Sequence, residues 1–108
     1  MNYDVVLSRQ AERELNETAD WIARQSASPA AAEQWFDGFI NTLLSLERMP
    51  QRCGFAREHR RFPCELRQIL YGRKRTYRAL FTIRENRIVV LTIRHTARAD
   101  ITPDDIEF

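Results

Sequence analysis

The sequence predicts an α+β fold in which a strand and a helical hairpin precede a three-stranded antiparallel meander. The first half holds two stretches with apolar residues at helical spacing, separated by a break that contains proline. The second half holds three β-forming runs after an arginine-rich loop. This order, β-α-α-β-β-β, favours helices packed on one face of a small sheet. A length of 108 residues suits one domain, which we expect to span 1–108.

The chain begins with a short β-forming run, Tyr3–Ser8. Ser8 can cap a helix, and acidic residues follow near its electropositive N-terminus. We therefore predict a first helix from Arg9 to Gln25. Its apolar face consists of Ala11, Leu15, Ala19 and Ile22.

A second helix is predicted to start at Pro29, with Ser28 as its cap, because proline's missing donor costs nothing at the first helical position. The helix should end before Pro50. The short link between the helices implies an antiparallel hairpin. The apolar face of the second helix comprises Ala32, Trp35, Phe36, Phe39, Ile40, Leu43 and Leu46.

Three strands are predicted at Glu65–Tyr71, Arg75–Arg84 and Arg87–Arg94, with residues 85–86 as a tight turn. Residues 88–91 are apolar on both faces, which suits a central strand. We expect the sheet face away from the helices to be more polar and to carry the arginines. The acidic tail after residue 98 is expected to be a partly ordered extension.

Net charge is only +2, but the charges are segregated along the chain. Residues 1–51 hold four arginines against eight acidic residues, whereas residues 52–98 hold twelve arginines and Lys74 against three acidic residues. The last ten residues hold four acidic residues and no basic one. This segregation indicates a basic working region on an acidic scaffold, suited to an anionic partner.

Several function classes are disfavoured. No apolar run approaches the roughly 20 residues of a membrane span, and no secretory signal is visible, so we expect a cytoplasmic protein. Metal-ligand spacing, glycine-rich phosphate loops and hydrolase elbows are missing, so we expect neither a metal nor a cofactor. Cys53 and Cys64 favour reduced thiols, although a disulfide between them stays possible.

Three segments carry a resemblance to a known family. They are "DWIARQSASPAAAEQWFDGFINTLLSLERMPQRCG", "ELRQILYGRKRTYRALFTI" and "RIVVLTIRHTARAD". In this order the chain resembles the RelE/ParE superfamily of toxins from type II toxin–antitoxin modules, over essentially its whole length. The resemblance implies a hetero-oligomer with a cognate acidic ParD-like antitoxin, for which Trp21, Trp35 and Phe39 are the expected contacts.

The resemblance leaves two functions open. A ParE-like toxin would bind and inhibit DNA gyrase without catalysis, whereas a RelE-like toxin would cleave mRNA on the ribosome without a metal. The "HTARAD" ending favours the ParE-like function. The expected target contacts are Arg67, Arg73, Arg75, Arg78, His95 and Arg98. For a nuclease, the catalytic candidates would be Glu65, Arg67, Arg78 and His95.

Structural roles compete for the same residues. His95 is in phase with apolar residues of its strand and could be a hydrogen-bonded histidine at the core edge. Arg78, in the middle of a strand, requires an anionic partner, either an internal carboxylate such as Glu65 or an external ligand. The two tryptophans suit the hairpin core. A general nucleic-acid-binding module is a weaker alternative, because the aromatic residues do not alternate with the basic ones.

Overall fold

The computed structural model describes residues 2–107, so Met1 and Phe108 of the predicted domain lie outside the described residues. The elements are β1 (Asp4–Leu7), α1 (Arg9–Ser26), α2 (Pro29–Leu44), β2 (Arg67–Tyr71), β3 (Tyr77–Arg84) and β4 (Arg87–His95). The strands form one sheet in the order β1-β4-β3-β2, in which β1 is parallel to β4 and the other pairs are antiparallel. The predicted order β-α-α-β-β-β and the central position of β4 are both confirmed.

Both helices begin at the predicted serine caps. The Ser8 hydroxyl accepts from the Ala11 amide at 3.0 Å and donates to the Leu91 carbonyl at 3.1 Å. The cap thus starts α1 and fastens it to β4. The Ser28 hydroxyl accepts from the Ala31 amide at 3.1 Å, and Pro29 occupies the first turn of α2.

The helical hairpin packs on one face of the sheet and forms the first core there. Phe39 of α2 stacks on Tyr71 of β2 with ring centroids 4.4 Å apart. The Tyr71 hydroxyl then donates to the Trp35 carbonyl at 2.9 Å. The fully buried members of this core include Leu15, Phe39, Leu43, Phe81, Ile88 and Val90.

The opposite sheet face is also covered, so the prediction of a polar, arginine-bearing face was wrong. A second core lies there, consisting of Ala56, Phe62, Leu66, Leu80, Leu91, Ile101 and Ile106. Residues 55–66 and the C-terminal tail supply most of it. In both segments the apolar residues are irregularly spaced among charged ones, so no periodic pattern marks them as core in the sequence.

The tail is an ordered part of the fold rather than the partly ordered extension expected from its composition. The buried Gln10 side chain donates to the Asp105 carbonyl at 2.8 Å and accepts from the Glu107 amide at 2.7 Å. Arg13 adds an exposed ion pair to Glu107 at 2.7 Å. The side chain of Gln10 thereby satisfies the tail backbone as a neighbouring strand would.

Gly38 marks a close approach between α2 and the sheet, which generates a stability prediction. A Cβ at this position would lie 2.2 Å from the Tyr71 hydroxyl oxygen. We expect Gly38→Ala to lower the free energy of unfolding by about 1–3 kcal/mol, because Tyr71 must move and lose its bond to Trp35. Urea denaturation followed by circular dichroism measures this change.

The matched control is Gly54→Ala, since a Cβ at Gly54 meets nothing within 4 Å. Its effect should stay within about 0.5 kcal/mol. If Gly38→Ala stabilises the protein by improving helix propensity, the close approach of Tyr71 does not restrict that site.

Candidate functional site

A groove of about 460 Å³ opens between α1 and the end of the sheet at which β3 begins and β4 ends. Its walls combine aromatic, basic and acidic side chains: Glu14, Glu17, Thr18, Trp21, Tyr77, Ile93, Arg94, His95 and Arg98. Trp21 is 50% exposed although it is a large apolar residue. An exposed tryptophan beside cations is a common feature of protein-binding surfaces.

The groove adjoins two basic turns that are connected by hydrogen bonds. One turn, residues 72–76, joins β2 to β3, and the other, residues 95–98, follows β4. The Thr96 amide donates to the Thr76 carbonyl at 2.8 Å, and the Thr96 hydroxyl donates to the Arg75 carbonyl at 3.1 Å. We call this surface, residues 72–76 and 94–98, the basic end. It brings together four of the predicted target contacts: Arg73, Arg75, His95 and Arg98.

His95 lies exposed at the basic end with a fixed orientation. Its Nδ1 accepts from the Ala97 amide at 3.0 Å. In the neutral ring the proton therefore resides on Nε2, which is left as a donor. Tyr77 faces His95 across the strand pair and contacts the ring edge-on, with centroids 5.3 Å apart. The histidine is hydrogen-bonded, as the structural alternative proposed, but it is exposed.

Tyr77 and Arg94 also line the groove and were missed as site residues. Burial raises the pKa of Tyr77, which disfavours the ionised phenol. Burial and the neighbouring charge of Arg98 lower the pKa of Arg94, whose buried Nε has no hydrogen-bond partner within residues 2–107. The register of β3 against β4 places Tyr77 opposite His95, and this register cannot be read from the sequence.

Glu14 has a structural role in the groove wall. One of its carboxylate oxygens accepts from the Thr92 hydroxyl at 2.7 Å and from the Ile93 amide at 3.1 Å. β1 pairs with β4 only as far as Val90, so Ile93 has no strand partner on that side. Glu14 therefore replaces the missing strand and holds α1 against the stretch of β4 that β1 does not pair with.

Arg78 is in the interior and is not available as a target contact. It is 1% exposed, and its guanidinium donates to both oxygens of Glu58, one of them at 2.8 Å, and to the Gln68 side chain at 3.1 Å. Of the two kinds of partner that were left open for Arg78, an internal carboxylate or an external ligand, the structure shows an internal carboxylate, and it is Glu58 rather than Glu65. Ile101 of the tail also donates its amide to Glu58 at 3.1 Å.

Glu65 and Arg67 lie away from the basic end. Arg67 pairs with Glu65 at 3.0 Å, donates to the Cys53 carbonyl at 2.6 Å and lies over the ring of Phe55 at 4.4 Å. In the sheet, Arg67 is opposite Phe81, four residues along β3 from the Tyr77 that faces His95. The expected nuclease set of Glu65, Arg67, Arg78 and His95 is therefore not assembled.

Of the three expected antitoxin contacts, two lie in the interior and one is exposed. Phe39 is fully buried, and Trp35 is partly buried, in edge contact with Phe39, Tyr71 and Tyr77. Both belong to the first core, where the hydrophobic effect places the broad apolar face of α2. Trp21 alone of the three has an exposed ring in the groove.

Other kinds of site can be checked within residues 2–107. No group of three or more histidine, cysteine, aspartate or glutamate residues in this range is placed to hold a metal ion. Cys53 and Cys64 are both free thiols at half-buried positions. No helix in the described residues is long and apolar enough to cross a membrane.

Comparison with known proteins agrees with this fold. The family model described as "ParE toxin of type II toxin-antitoxin system, parDE" matches residues 5–100. The chain therefore belongs to the ParE toxin family of type II toxin–antitoxin systems. No curated protein sequence matches it at a significant level.

Two solved structures share the fold. A chain of the chromosomal ParDE toxin–antitoxin system from P. aeruginosa aligns with a TM-score of 0.71 and 18% identity, covering 86% of this chain and 95% of that one. A chain of the RelBE2 toxin–antitoxin complex from Mycobacterium tuberculosis aligns with a TM-score of 0.52 and 23% identity, covering 88% of this chain and 99% of that one. These likenesses support the α+β architecture.

The buried Glu58–Arg78 pair predicts a specific dependence of stability on pH. Burial by itself would raise the pKa of Glu58, but the hydrogen bonds from Arg78 and the Ile101 amide lower it from 4.5 to about 2. A depressed carboxyl pKa stabilises the fold above the unfolded pKa, and the stabilisation is lost as pH falls from about 5 through 2. We expect the pair to account for a loss of about 3 kcal/mol over that range.

Urea denaturation at pH 2.5–7 can test this dependence in the double variant Glu58→Leu/Arg78→Met, which replaces the pair with apolar side chains of similar volume. Its unfolding free energy should change less with pH than that of the wild type. The control Glu33→Gln, at an exposed position of α2, should leave the wild-type slope unchanged. Parallel curves for the double variant and the wild type would contradict the assignment.

Proposed function

We propose that this protein is a ParE-like toxin that binds DNA gyrase through its basic end and inhibits it without catalysis. The observation that carries the proposal is a set of exposed cations, Arg73, Lys74, Arg75 and Arg98, none of which has an ion-pair partner within residues 2–107. Cations kept exposed and unpaired on one surface suit a large anionic partner. Membership of the ParE family supports gyrase as that partner.

The same surface suits control by an antitoxin. An acidic, amphipathic antitoxin segment would place an apolar side chain against Trp21 and its carboxylates against Arg94 and Arg98. Such a segment would cover part of the basic end and exclude the target. Both structural neighbours come from toxin–antitoxin systems, which supports an antitoxin partner for this chain.

The RelE-like ribonuclease is the second candidate, and one observation favours it. His95 and Tyr77 are adjacent and lie beside two arginines, so a donor, an acid–base group and cations are present on one surface. Against it, no carboxylate of the expected set lies there, and of the two glutamates that line the groove, Glu14 and Glu17, Glu14 is engaged by β4. The binding function needs only the exposed cations and is preferred.

Two assays on the purified toxin separate the candidates: gyrase-driven supercoiling of plasmid DNA, and primer extension on mRNA in translating ribosomes. The proposal predicts blocked supercoiling and intact mRNA. Cleaved mRNA with normal supercoiling would make His95 and Tyr77 catalytic candidates and would overturn the proposal.

The double variant His95→Ala/Arg98→Gln tests which surface inhibits gyrase. We expect the toxin concentration for half-inhibition to rise at least about tenfold, because both side chains are exposed at the proposed contact. The control Arg87→Gln removes an exposed cation beside the β3–β4 turn, at the other end of the sheet, and should change it less than about twofold. Equal losses would mean that the basic end is not the contact.

Trp21→Ala tests the antitoxin groove. We expect weaker binding of the cognate antitoxin by at least about tenfold, since a half-exposed tryptophan in a groove is a typical interface anchor. Isothermal titration calorimetry measures the affinity, and unchanged gyrase inhibition by the variant shows that it is folded. Unaltered antitoxin affinity would place the antitoxin elsewhere.

A further inference from the structure

The turn between β2 and β3 has a costly backbone conformation and only basic side chains at its tip. Gly72, Lys74 and Arg75 have φ angles of 94°, 58° and 55°. Left-handed conformations cost an ordinary L-residue roughly 1 kcal/mol, so lysine and arginine are poor choices for folding alone. Glycine or asparagine would satisfy the turn better. Strain at an exposed position is a reason to look for a binding role.

The turn is part of a rigid surface. Thr96 bonds to the carbonyls of Arg75 and Thr76, which fixes the turn relative to residues 95–98. The Thr76 hydroxyl additionally donates to the Arg73 carbonyl. The cations therefore extend from a scaffold with little backbone freedom, which lowers the entropic cost of binding.

The charge pattern distinguishes this end from the opposite end of the sheet. The segments 72–76 and 94–98 contain five cationic residues and no acidic one. At the opposite end, Arg84 and Arg87 flank Glu85, and Asp4 is the register partner of Arg87. Glu14 and Glu17 of α1 line the adjoining groove, but neither lies in these two segments. A surface segment that carries only basic charges suits a phosphate backbone partner.

The aromatic residues indicate which nucleic acid fits. Binding to single strands requires exposed rings on which bases stack. Residues 72–76 contain no aromatic side chain, and Tyr77 is half-buried against His95 and Trp35. The exposed ring of Trp21 lies in the adjoining groove, and a single ring does not provide a row of stacking platforms along the cations. His95 offers Nε2–H as a donor, and arginines can contact phosphate oxygens bidentately. Such a surface fits the phosphates of duplex DNA, where no stacking is needed.

We propose that the basic end binds the phosphate backbone of duplex DNA, so that the toxin contacts the DNA segment held by its enzyme target. This inference deepens the proposed gyrase function and rests on it for its biological setting. Binding is independent of base sequence, because the surface offers charge and donors but no element shaped to enter a groove.

The test measures fluorescence anisotropy of a labelled 30-base-pair duplex at salt concentrations from 50 to 200 mM. The turn variant is Arg73→Gln/Lys74→Gln/Arg75→Gln. The matched control, Arg48→Gln/Arg84→Gln/Arg87→Gln, removes the same charge from the opposite end. Arg84 and Arg87 flank the β3–β4 turn, and Arg48 follows Glu47, whose carbonyl accepts from the Tyr3 amide next to the start of β1. We expect the turn variant to lose at least about tenfold in affinity at 50 mM salt, and the control less than about threefold. The slope of log affinity against log salt should shrink by about 2.7 in the turn variant, because each contacted phosphate contributes about 0.9.

An equal loss of duplex affinity in the two variants would mean that only net charge matters, and it would overturn the inference. So would tighter binding of a single-stranded RNA 30-mer, or an absence of duplex binding by the wild type at 50 mM salt. A pull-down with gyrase free of DNA separates the two proposals. If gyrase binds the wild type but not the turn variant, the basic end contacts protein, and the DNA inference fails while the gyrase function stands. If the wild type neither binds gyrase in the presence of the duplex nor blocks supercoiling, while duplex binding follows the expected pattern, the gyrase function fails alone.

Discussion

The structure depends on the buried carboxylate of Glu58. Glu58 is fully buried and accepts from the guanidinium of Arg78 in β3 and from the Ile101 amide in the tail. A single side chain thus joins the loop after α2, the middle of the sheet and the C-terminal segment. Removing either charge would leave the other buried without compensation, at a cost of roughly 3–5 kcal/mol. The second core can form over the sheet face opposite the helices because the charges of Glu58 and Arg78 beneath it are paired and hydrogen-bonded.

The segments that cover the sheet face opposite the helices determine which arginines stay exposed and can contact a partner. Arg78 is enclosed beneath the cover, while Arg57 and Arg61 pair with Asp100 of the tail. The acidic tail therefore neutralises part of the basic second half. The end formed by residues 72–76 and 94–98 contains no acidic residue, and none of its cations has an ion-pair partner within residues 2–107. A nearly neutral chain thereby retains one concentrated basic surface.

Regular patterns in the sequence determine most of what can be predicted of the fold. Ser8 and Ser28 mark the helix starts because capping is local chemistry, and the strands follow from β-branched and alternating residues. The second core was not predictable, because Phe62, Ile101 and Ile106 lie in irregular segments without a period. Their burial follows from tertiary contacts with β3 and β4.

The site was predictable to the extent that it is exposed and basic. His95 and Arg98 are only three positions apart in the sequence, so their grouping needs no knowledge of the fold. The sequence could not distinguish the buried Arg78 from the exposed arginines, because an arginine within a strand shows its burial only once its partner is known. Glu58 lies twenty residues earlier in an irregular loop, and no local rule pairs the two. Tyr77 required the strand register, which is set by the whole sheet.

Hydrogen–deuterium exchange of the toxin, alone and in complex with gyrase and DNA, tests most directly whether function is confined to the basic end. The account predicts new protection in peptides covering residues 72–77 and 94–98. It predicts unchanged exchange in residues 55–66 and 100–107, which form the cover of the second core. Protection concentrated on that cover, with the basic end unchanged, would contradict the account.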